Sequence, residues 1–258
     1  MSRVLACGLT DIGLVRTENQ DHLGDFEPPN GARRFGRLLI VADGVGGHRG
    51  GKLASHLVVE SLAEAYYSDP IPLPEGEGGE PTIEERLVFS FHEANRRVYR
   101  RAQEDPSVRG MASTCAALVL YAGRAFVAHL GDSRAYLVRG GAIRQLTRDH
   151  SLVQSQIDAG LLTPEDAKAH ADRHIITRSI GFELQIEPEL LQPPIALQPH
   201  DHFILSTDGL HGLLTDEEIA RTTLAFEPME ACQRLVEAAN DRGGSDNITV
   251  QVLRVEEA

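Results

Sequence analysis

Cysteine is scarce in this chain, and its scarcity excludes two classes of protein. The 258 residues include three cysteines, Cys7, Cys115 and Cys232, which are far apart and odd in number. A disulfide framework or a zinc site needs paired, closely spaced ligands, and no CxxC pair or Cys/His zinc spacing occurs. Cys115 lies in an apolar run, so we interpret it as a small core residue. This pattern favours a reducing cytoplasm.

Long apolar runs and an excess of basic residues are also missing. No run approaches the roughly 20 residues that a membrane helix needs, and the first residues lack a signal-peptide hydrophobic region. The formal net charge is −13. Because phosphate backbones and anionic lipids attract basic surfaces, this charge disfavours both as partners. We therefore expect a cytoplasmic protein that binds neither nucleic acid nor membrane.

The apolar content, 41%, is enough for one sizeable core. Short β-branched runs separated by glycines predict antiparallel strands. These strands are expected at residues 37–42, 115–121, 125–130, 135–138, 202–206 and 248–255. Apolar residues at helical spacing predict helices, and they are expected at residues 52–67, 83–104, 151–159, 164–171 and 227–240, with another beginning at the N-cap Thr215.

The order of these elements predicts the fold class. Strands come in groups and helices in pairs, which differs from the strict alternation of a doubly wound parallel sheet. We therefore predict one α+β domain over residues 1–258, a central antiparallel β-sandwich flanked by helices in α-β-β-α layers. The same order excludes a receiver-domain interpretation of Asp43 at the end of its apolar strand.

Two segments share an apolar run followed by Asp-Gly. They are residues 38–44 and 203–209, and they end in Asp43-Gly44 and Asp208-Gly209. A buried strand that delivers an aspartate places a charge at the rim of the core. We interpret each following glycine as a sharp turn whose carbonyl is available as a ligand. Either segment alone is more often an ordinary turn.

Further acidic turns make a metal site the better interpretation. Glycines crowd residues 44–51 after Asp43, Asp132 lies in a Gly-Asp turn, and Asp246 precedes the last predicted strand. Mg²⁺ and Mn²⁺ prefer carboxylate, carbonyl and water oxygens. Aspartates at one rim can bridge two such ions about 4 Å apart, which lowers the pKa of a shared water.

One basic residue in the same part of the sequence can bind phosphate. Arg16 lies five residues before Asp21. A guanidinium can clamp two phosphoryl oxygens in a fork that lysine does not match. No Cys-x5-Arg signature of the thiol phosphatases is present, so neither cysteine nor serine needs to be the nucleophile.

Six strings in this order resemble the PPM family of metal-dependent serine/threonine phosphatases (type 2C), closest to its compact bacterial branch. The strings are TDIGLVRTENQD (10–21), VADGVGGH (41–48), AHLGDSRAY (128–136), TRDHS (147–151), STDGL (206–210) and GSDNIT (244–249). One Asp-Gly carries little information, but six ordered motifs across nearly the whole chain are specific.

The resemblance implies the roles of the candidate metal ligands. Asp43 would bridge both ions and Gly44 would offer its carbonyl, while Asp208 and Asp246 complete one metal. Asp21 would act through bound water, and Asp132 with Asp208 would hold a third, weaker ion. Two further roles, phosphate binding by Arg16 and support of Asp246 by Asn247, follow in the same way.

The resemblance also implies a flap subdomain at about residues 149–181, beside the active site. We expect it to shape access for protein substrates, with His170, Arg173 and His174 able to touch them. The chain departs from the animal enzymes at Gln20, where they have an acidic residue, and at Val45, where they have a histidine proposed as general acid. The nearest substitute is His48, whose alternative role is packing around the glycine-rich turn.

The expected activity is hydrolysis of phosphoserine and phosphothreonine on proteins by metal-activated water, without a phosphoenzyme and in opposition to bacterial serine/threonine kinases. The cofactors would be two Mn²⁺ or Mg²⁺ ions and a third weaker one, and the chain is expected to be a monomer. Two alternatives stay open. One is a catalytically inactive binding module, and the other is a phosphatase for one dedicated regulatory partner.

Overall fold

Two antiparallel sheets pack face to face, with helices on the outer side of each. The structure is a computed structural model that describes residues 3–28, 33–46, 50–71 and 80–257. The strands are β1 (Arg3–Asp11), β2 (Asp21–Phe26), β3 (Arg37–Val45), β4 (Ala112–Ser113), β5 (Cys115–Tyr121), β6 (Arg124–Leu130), β7 (Arg134–Arg139), β8 (Ala142–Gln145), β9 (Glu189–Leu190), β10 (Ile195–Ala196), β11 (His202–Ser206) and β12 (Ile248–Glu257). The helices are α1 (Gly50–Tyr66), α2 (Ile83–Glu104), α3 (Leu152–Asp158), α4 (Pro164–Lys168), α5 (Asp208–His211), α6 (Asp216–Ala225) and α7 (Pro228–Asp241).

Strand order divides the chain between the two sheets. The first sheet has the order β1-β12-β11-β7-β8. The second has the order β10-β6-β5-β3-β2, with the short β4 beside β3 and β9 beside β6. All of these pairings are antiparallel. The arrangement confirms the predicted α+β sandwich.

Strand β3 shows how the layers are built. Because side chains alternate across a strand, Leu39 and Val41 face the other sheet and pack in one cluster with Phe203 of β11. Leu38 and Ile40 point the opposite way, into a cluster beneath the helices. A strand covered on both faces must be apolar throughout, which is why residues 38–42 form a continuous apolar run.

The outer clusters fix the helices to the sheets. On the second sheet, Val58 of α1 and Leu87 of α2 belong to the same buried cluster as Ile40. On the first sheet, Leu235 of α7 packs in a cluster with Ile204 of β11. The result is four layers in the order helix, sheet, sheet, helix.

Helix α2 begins and ends where its sequence predicts. The Glu85 amide donates to the Thr82 hydroxyl at 3.2 Å, and the Thr82 amide donates to the Glu85 carboxylate at 2.7 Å. This capping box satisfies two amides that the first helical turn leaves without partners. Thr215 caps α6 in the same way, as predicted. Among the described helices, none has both the length and the apolar composition to cross a bilayer.

Six of the described strands were not predicted from the sequence, and the two longest of them, β1 and β2, position the candidate site. Strand β1 pairs only with β12 and is intermediate or exposed along its length, so its sequence lacks a strong apolar alternation. Strand β2 contains Gly24, where a Cβ would lie 2.7 Å from Val59 of α1. That close helix packing explains a glycine within the strand, but the sequence alone does not reveal it.

Residues 149–181 contain α3 and α4 and are tied to the sandwich at both ends. At the first end the His150 amide donates to the Gly131 carbonyl at 3.0 Å, and at the second end Ile180 forms an isolated bridge with Ser113 of β4. A further bridge, between Ser151 and Ile176, lies within the segment itself. Helix α4 ends at Lys168, three residues before its predicted end. A separate flap subdomain stays a prediction. Residues 68–81 are rich in proline, glycine and glutamate, which predicts a surface loop, and most of them lie outside the described residues.

The core between the sheets provides a stability test with a matched control. Leu39 on β3 is 1% exposed, whereas Leu5 on β1 is 37% exposed. Leu39→Ala should lower the free energy of unfolding by about 3 kcal/mol, because it removes buried methyl groups and leaves a cavity. Leu5→Ala should cost less than about 1 kcal/mol. Chemical denaturation measures both, and equal losses would contradict the assigned burial.

Candidate metal centre

Five aspartates from both sheets meet at one end of the sandwich. Asp21 opens β2 and lies directly opposite Asp43 of β3. Asp208 follows β11 and begins α5, Asp246 precedes β12, and Asp132 lies in the turn from β6 to β7. The other four are all close enough to act electrostatically on Asp43. The centre therefore lies where the ends of the two sheets meet.

The glycines after Asp43 and Asp208 serve close packing and not sharp turns. Strand β3 continues through Gly44 to Val45, and Gly209 lies within α5. A Cβ on Gly44 would lie 2.0 Å from the Gly51 carbonyl oxygen, and one on Gly209 would lie 2.0 Å from the Asn247 carbonyl oxygen. The predicted turns are therefore wrong, and glycine is required because other backbone segments approach these positions.

Threonine hydroxyls hold Asp21, and sequence reasoning did not single them out. One carboxylate oxygen of Asp21 accepts hydrogen bonds from Thr207 and Thr249, each at 2.7 Å. Both threonines are fully buried. Each lies within three residues of a predicted ligand, Asp208 or Asp246, and inside one of the six strings, STDGL (206–210) or GSDNIT (244–249), and those are the sequence signals for them. The two hydroxyls orient Asp21 toward the other carboxylates.

A second pair of hydroxyls links Asp43 to the turn that carries Asp132. The Asp43 amide donates to the Thr114 hydroxyl at 3.1 Å, and that hydroxyl is 2.7 Å from the Ser133 hydroxyl. The Thr114 amide donates back to the Asp43 carbonyl at 2.8 Å. The positions of the two aspartates are thereby coupled through buried hydrogen bonds.

Burial and mutual repulsion make the carboxylates weak acids in the absence of a cation. Burial, with repulsion from Asp208 and Asp246, raises the pKa of Asp21 to about 7, although the threonine hydrogen bonds oppose the shift. Burial and Asp208 raise the pKa of Asp132 to about 8. The pKa of Asp43 is also well above its usual range, for the same reasons. A divalent cation would remove this repulsion.

The donor set fits hard divalent cations. It consists of carboxylates with the Gly44 backbone beside them, the oxygen ligands that Mg²⁺ and Mn²⁺ prefer. One carboxylate oxygen of Asp132 is buried and has no hydrogen-bond partner among the described residues. Because a buried, unpaired polar atom is costly, that oxygen is well suited to ligate a cation.

Arg16 lies beside these aspartates. Its guanidinium donates to the Asp246 carboxylate at 2.7 Å, and its side chain is 52% exposed. The loop that carries Arg16 is held by Asn247, whose side-chain amide donates to the carbonyls of Ile12 and Glu18. Asn247 meets Asp246 only through its backbone amide. Its side chain therefore orders the arginine loop, a role different from the support of Asp246 that the resemblance implied.

The histidines expected near the centre have different outcomes. His48 lies outside the described residues. His174, from the 149–181 segment, has its Nδ1 atom 3.7 Å from the Asp208 carboxylate. Its side chain is 61% exposed. The segment thus reaches the aspartates through His174, one of three residues expected to touch substrate.

A second cluster of metal-binding residue types lies behind the Asp132 turn. Among the described residues, His129, His150 and Glu189 form the one trio whose ligand atoms all lie within 4.8 Å of one another. The Arg178 guanidinium is already 2.9 Å from His150 Nε2. His150 Nδ1 accepts the Gly131 amide at 3.0 Å. With Nδ1 accepting an amide, Nε2 carries the ring proton and faces the Glu189 carboxylate at 3.2 Å. Because both ring nitrogens of His150 are engaged in hydrogen bonds, we interpret this cluster as a structural link and not a metal site.

The carboxylate oxygens of the predicted aspartates do not form a trio at that spacing, although the other four aspartates all act electrostatically on Asp43.

Comparison with known proteins identifies the family. The family model for protein phosphatase 2C matches residues 16–249. Protein phosphatase PhpP of Streptococcus pneumoniae is 37% identical over 251 residues, which are 96% of each chain. The structure of the S. agalactiae serine/threonine phosphatase has a TM-score of 0.86 at 35% identity, covering 98% of this chain and 100% of that one.

A third relative was solved with metal. The catalytic domain of the serine/threonine protein phosphatase PstP, in complex with two manganese ions, has a TM-score of 0.80 at 33% identity. The match covers 98% of this chain and 99% of the PstP chain. The chain belongs to the protein phosphatase 2C family. It is therefore a metal-dependent serine/threonine protein phosphatase, and the resemblance in the six strings is confirmed.

The raised pKa values predict how stability responds to pH and to cations. Burial lowers the pKa of His150 to about 4, whereas histidine in the unfolded chain has a pKa of about 6.5. Between these two pH values the unfolded chain binds more protons than the folded one, so such histidines make the free energy of unfolding rise with pH up to about 6.5. Above that, Asp21 and Asp132 still hold protons in the folded state that the unfolded chain has released near pH 4. With chelator present, stability should therefore fall from about pH 6.5 to about pH 8.

Chemical denaturation across that pH range, with chelator and with saturating Mn²⁺, measures the effect. Mn²⁺ should abolish or reverse the fall, because the bound cation replaces the protons. Asp132→Asn should flatten the slope in chelator, since its amide does not titrate. Identical pH profiles with and without Mn²⁺ would show that these carboxylates do not bind it.

Proposed function

We propose that this chain hydrolyses phosphoserine and phosphothreonine in proteins, using two Mn²⁺ or Mg²⁺ ions held by the aspartates. The observation that carries the proposal is the cluster of five aspartates beside Arg16, in which Asp21, Asp43 and Asp132 have raised pKa values. A protein that needed only stability would not bring five like charges together, because each ionised pair repels. The cluster is suited to hold cations beside a phosphate-binding arginine.

The groups that would hold the cations are those of the six strings. Asp43 would contact both ions and the Gly44 carbonyl one of them, and Asp208 and Asp246 would complete one coordination sphere. Asp21 keeps one oxygen on its two threonines, which supports a role through water on the other oxygen. When bound, the ions supply Lewis-acid activation of water and charge stabilisation of the phosphoryl group.

A third, weaker ion is part of the proposal. The buried oxygen of Asp132 that lacks a hydrogen-bond partner supports it, and Asp208 acts electrostatically on Asp132. These two carboxylates would hold that ion. The coupling of Asp132 to Asp43 through Thr114 and Ser133 would keep the third site in register with the other two.

Arg16 would bind and orient the phosphoryl group. Only one guanidinium nitrogen meets Asp246, and the side chain has further N–H donors with which to bind phosphoryl oxygens. Asp246 holds the guanidinium at the centre, and Asn247 fixes its loop. His48 is proposed to give a proton to the departing serine or threonine oxygen, because Val45 has no proton to donate.

The biological setting we propose follows from the family and its bacterial relatives. The substrates would be phosphoproteins made by bacterial serine/threonine kinases, which this chain would oppose in the cytoplasm as a monomer. The 149–181 segment would shape substrate access, since His174 already reaches Asp208. Gln20, where the animal enzymes have an acidic residue, would alter the water-mediated contacts near Asp21.

Asp43→Asn tests the proposed centre directly. Loss of a residue that merely supports a metal ligand costs roughly 10–100-fold, so loss of the bridging carboxylate should reduce turnover at least about a hundredfold. The measurement is hydrolysis of a phosphothreonine peptide with Mn²⁺, with Mg²⁺ and with chelator. In chelator, Asp43→Asn should unfold at the same or a higher temperature, because the amide cannot ionise among the other four carboxylates.

The matched control is Asp241→Asn, at the exposed end of α7, which should keep full activity. Undiminished turnover by folded Asp43→Asn would remove Asp43 from the centre. If the unaltered, folded protein hydrolysed neither peptide nor an aryl phosphate with any cation, the phosphatase proposal would fail. Retained binding of the phosphopeptide in that case would support a binding module.

A further inference from the structure

Several of the eleven large apolar side chains exposed among the described residues lie beside the metal centre. Four of them lie on three separate segments, each of which also carries a residue of the centre. We call these four residues the apolar rim: Leu14, Val15, Val45 and Ile175. They are 68%, 66%, 40% and 46% exposed, respectively. Single exposed apolar residues are common on proteins. Four beside one polar centre require an explanation of their own.

Each rim residue lies within two positions of a group at the centre. Leu14 and Val15 directly precede Arg16, which contacts Asp246 at 2.7 Å. Val45 follows Asp43 by two residues in the same strand. Ile175 follows His174, whose Nδ1 is 3.7 Å from Asp208. Because consecutive Cα atoms are 3.8 Å apart, all four residues lie close to the place where a phosphate would bind.

The backbone beneath the rim is fixed, so these exposures do not reflect frayed loops. The Leu14 amide donates to the Gly244 carbonyl at 2.8 Å. The preceding Gly13 has φ +78°, and a Cβ there would lie 2.2 Å from the Asp246 carbonyl oxygen. The Val45 backbone pairs with β4. These contacts hold the rim side chains in place in solvent.

The second side of the rim is equally well anchored. The Ile175 carbonyl accepts the Leu152 amide at 2.8 Å, and the Ile175 amide donates to the Asp172 carbonyl at 3.0 Å. Leu152 begins α3. The rim therefore flanks the aspartates both on the arginine loop and on the 149–181 segment, where it is accessible to a substrate segment bound at the centre.

We propose that the apolar rim binds the substrate residues on either side of the phosphorylated one, so that the preferred substrates carry aliphatic or aromatic residues there. The proposal rests on the proposed function, because the phosphate has to lie at Arg16 for its neighbours to meet the rim. Residues one and two positions from a phosphothreonine lie within about 7 Å of it. That reach matches the spacing from Arg16 back to Leu14.

The test compares two phosphothreonine peptides that differ only beside the phosphoresidue. One has leucine at the positions before and after it, and the other has glutamine, which is similar in size and uncharged. With Mn²⁺, the unaltered protein should hydrolyse the leucine peptide with about tenfold higher kcat/KM, because displaced water and apolar contact favour it. Equal kcat/KM for the two peptides would overturn the inference and leave the phosphatase activity intact.

Variants of the rim locate the preference. Leu14→Asn and Val15→Thr nearly keep side-chain shape while adding polarity, and each should lower the leucine-to-glutamine ratio of kcat/KM at least about threefold. Leu224→Asn, on α6 and 47% exposed, is the matched control and should leave the ratio unchanged. Thermal unfolding checks that each variant is folded.

The outcomes separate the two proposals. A ratio that falls equally in Leu224→Asn, or in none of the rim variants, would overturn the role of the rim. Failure of the folded protein to hydrolyse either peptide with any cation would overturn the proposed function, and this inference with it. A ratio lowered only by rim variants supports both.

Discussion

Electrostatic repulsion among five aspartates is the constraint on which the rest of this structure depends. Asp21 and Asp43 come from one sheet, Asp208 and Asp246 flank strands of the other, and Asp132 lies in the turn that joins the two. Bringing them together raises the pKa values of the buried members. The interactions that overcome this repulsion lie outside the cluster: they are the strand pairing and the burial of the apolar layers behind it.

Hydrogen bonds from neighbouring hydroxyl groups hold the aspartates in place around the centre. Thr207 and Thr249 hold Asp21, and Thr114 and Ser133 link Asp43 to the Asp132 turn. These hydroxyls are uncharged, so they orient the carboxylates without neutralising them. The carboxylates stay available for cations, and Arg16, the arginine that contacts them among the described residues, keeps 52% of its side chain exposed.

Much of this fold and site could be predicted from sequence, because the signals are local. Helix α2 follows from its apolar stripe and capping pair, and Asp43 and Asp208 stand at the ends of apolar strands. The missed features depend on tertiary partners. Strand β1 needs β12 beside it, Gly44 is glycine because Gly51 approaches it, and the Asn247 side chain bonds the arginine loop. No neighbouring residue in the sequence reveals such contacts.

The apolar rim and the 149–181 segment are the surfaces on which we propose that the centre meets its substrates. Exposure of Leu14 or Ile175 cannot be read from sequence, since apolar residues are usually taken as core. In the structure, both lie on fixed backbone next to residues of the centre. The same loops that position Arg16 and His174 therefore also present the surface on which a substrate chain would lie.

Proton release on Mn²⁺ binding tests the central claim most directly. Calorimetric titration at pH 7 in two buffers of different ionisation enthalpy counts the protons that leave the protein as the cation binds. Because the pKa values of Asp21 and Asp132 are about 7 and about 8, we predict release of more than about one proton per chain. Binding without proton release, or no binding at all, would contradict a cluster of protonated carboxylates that serves as the metal centre.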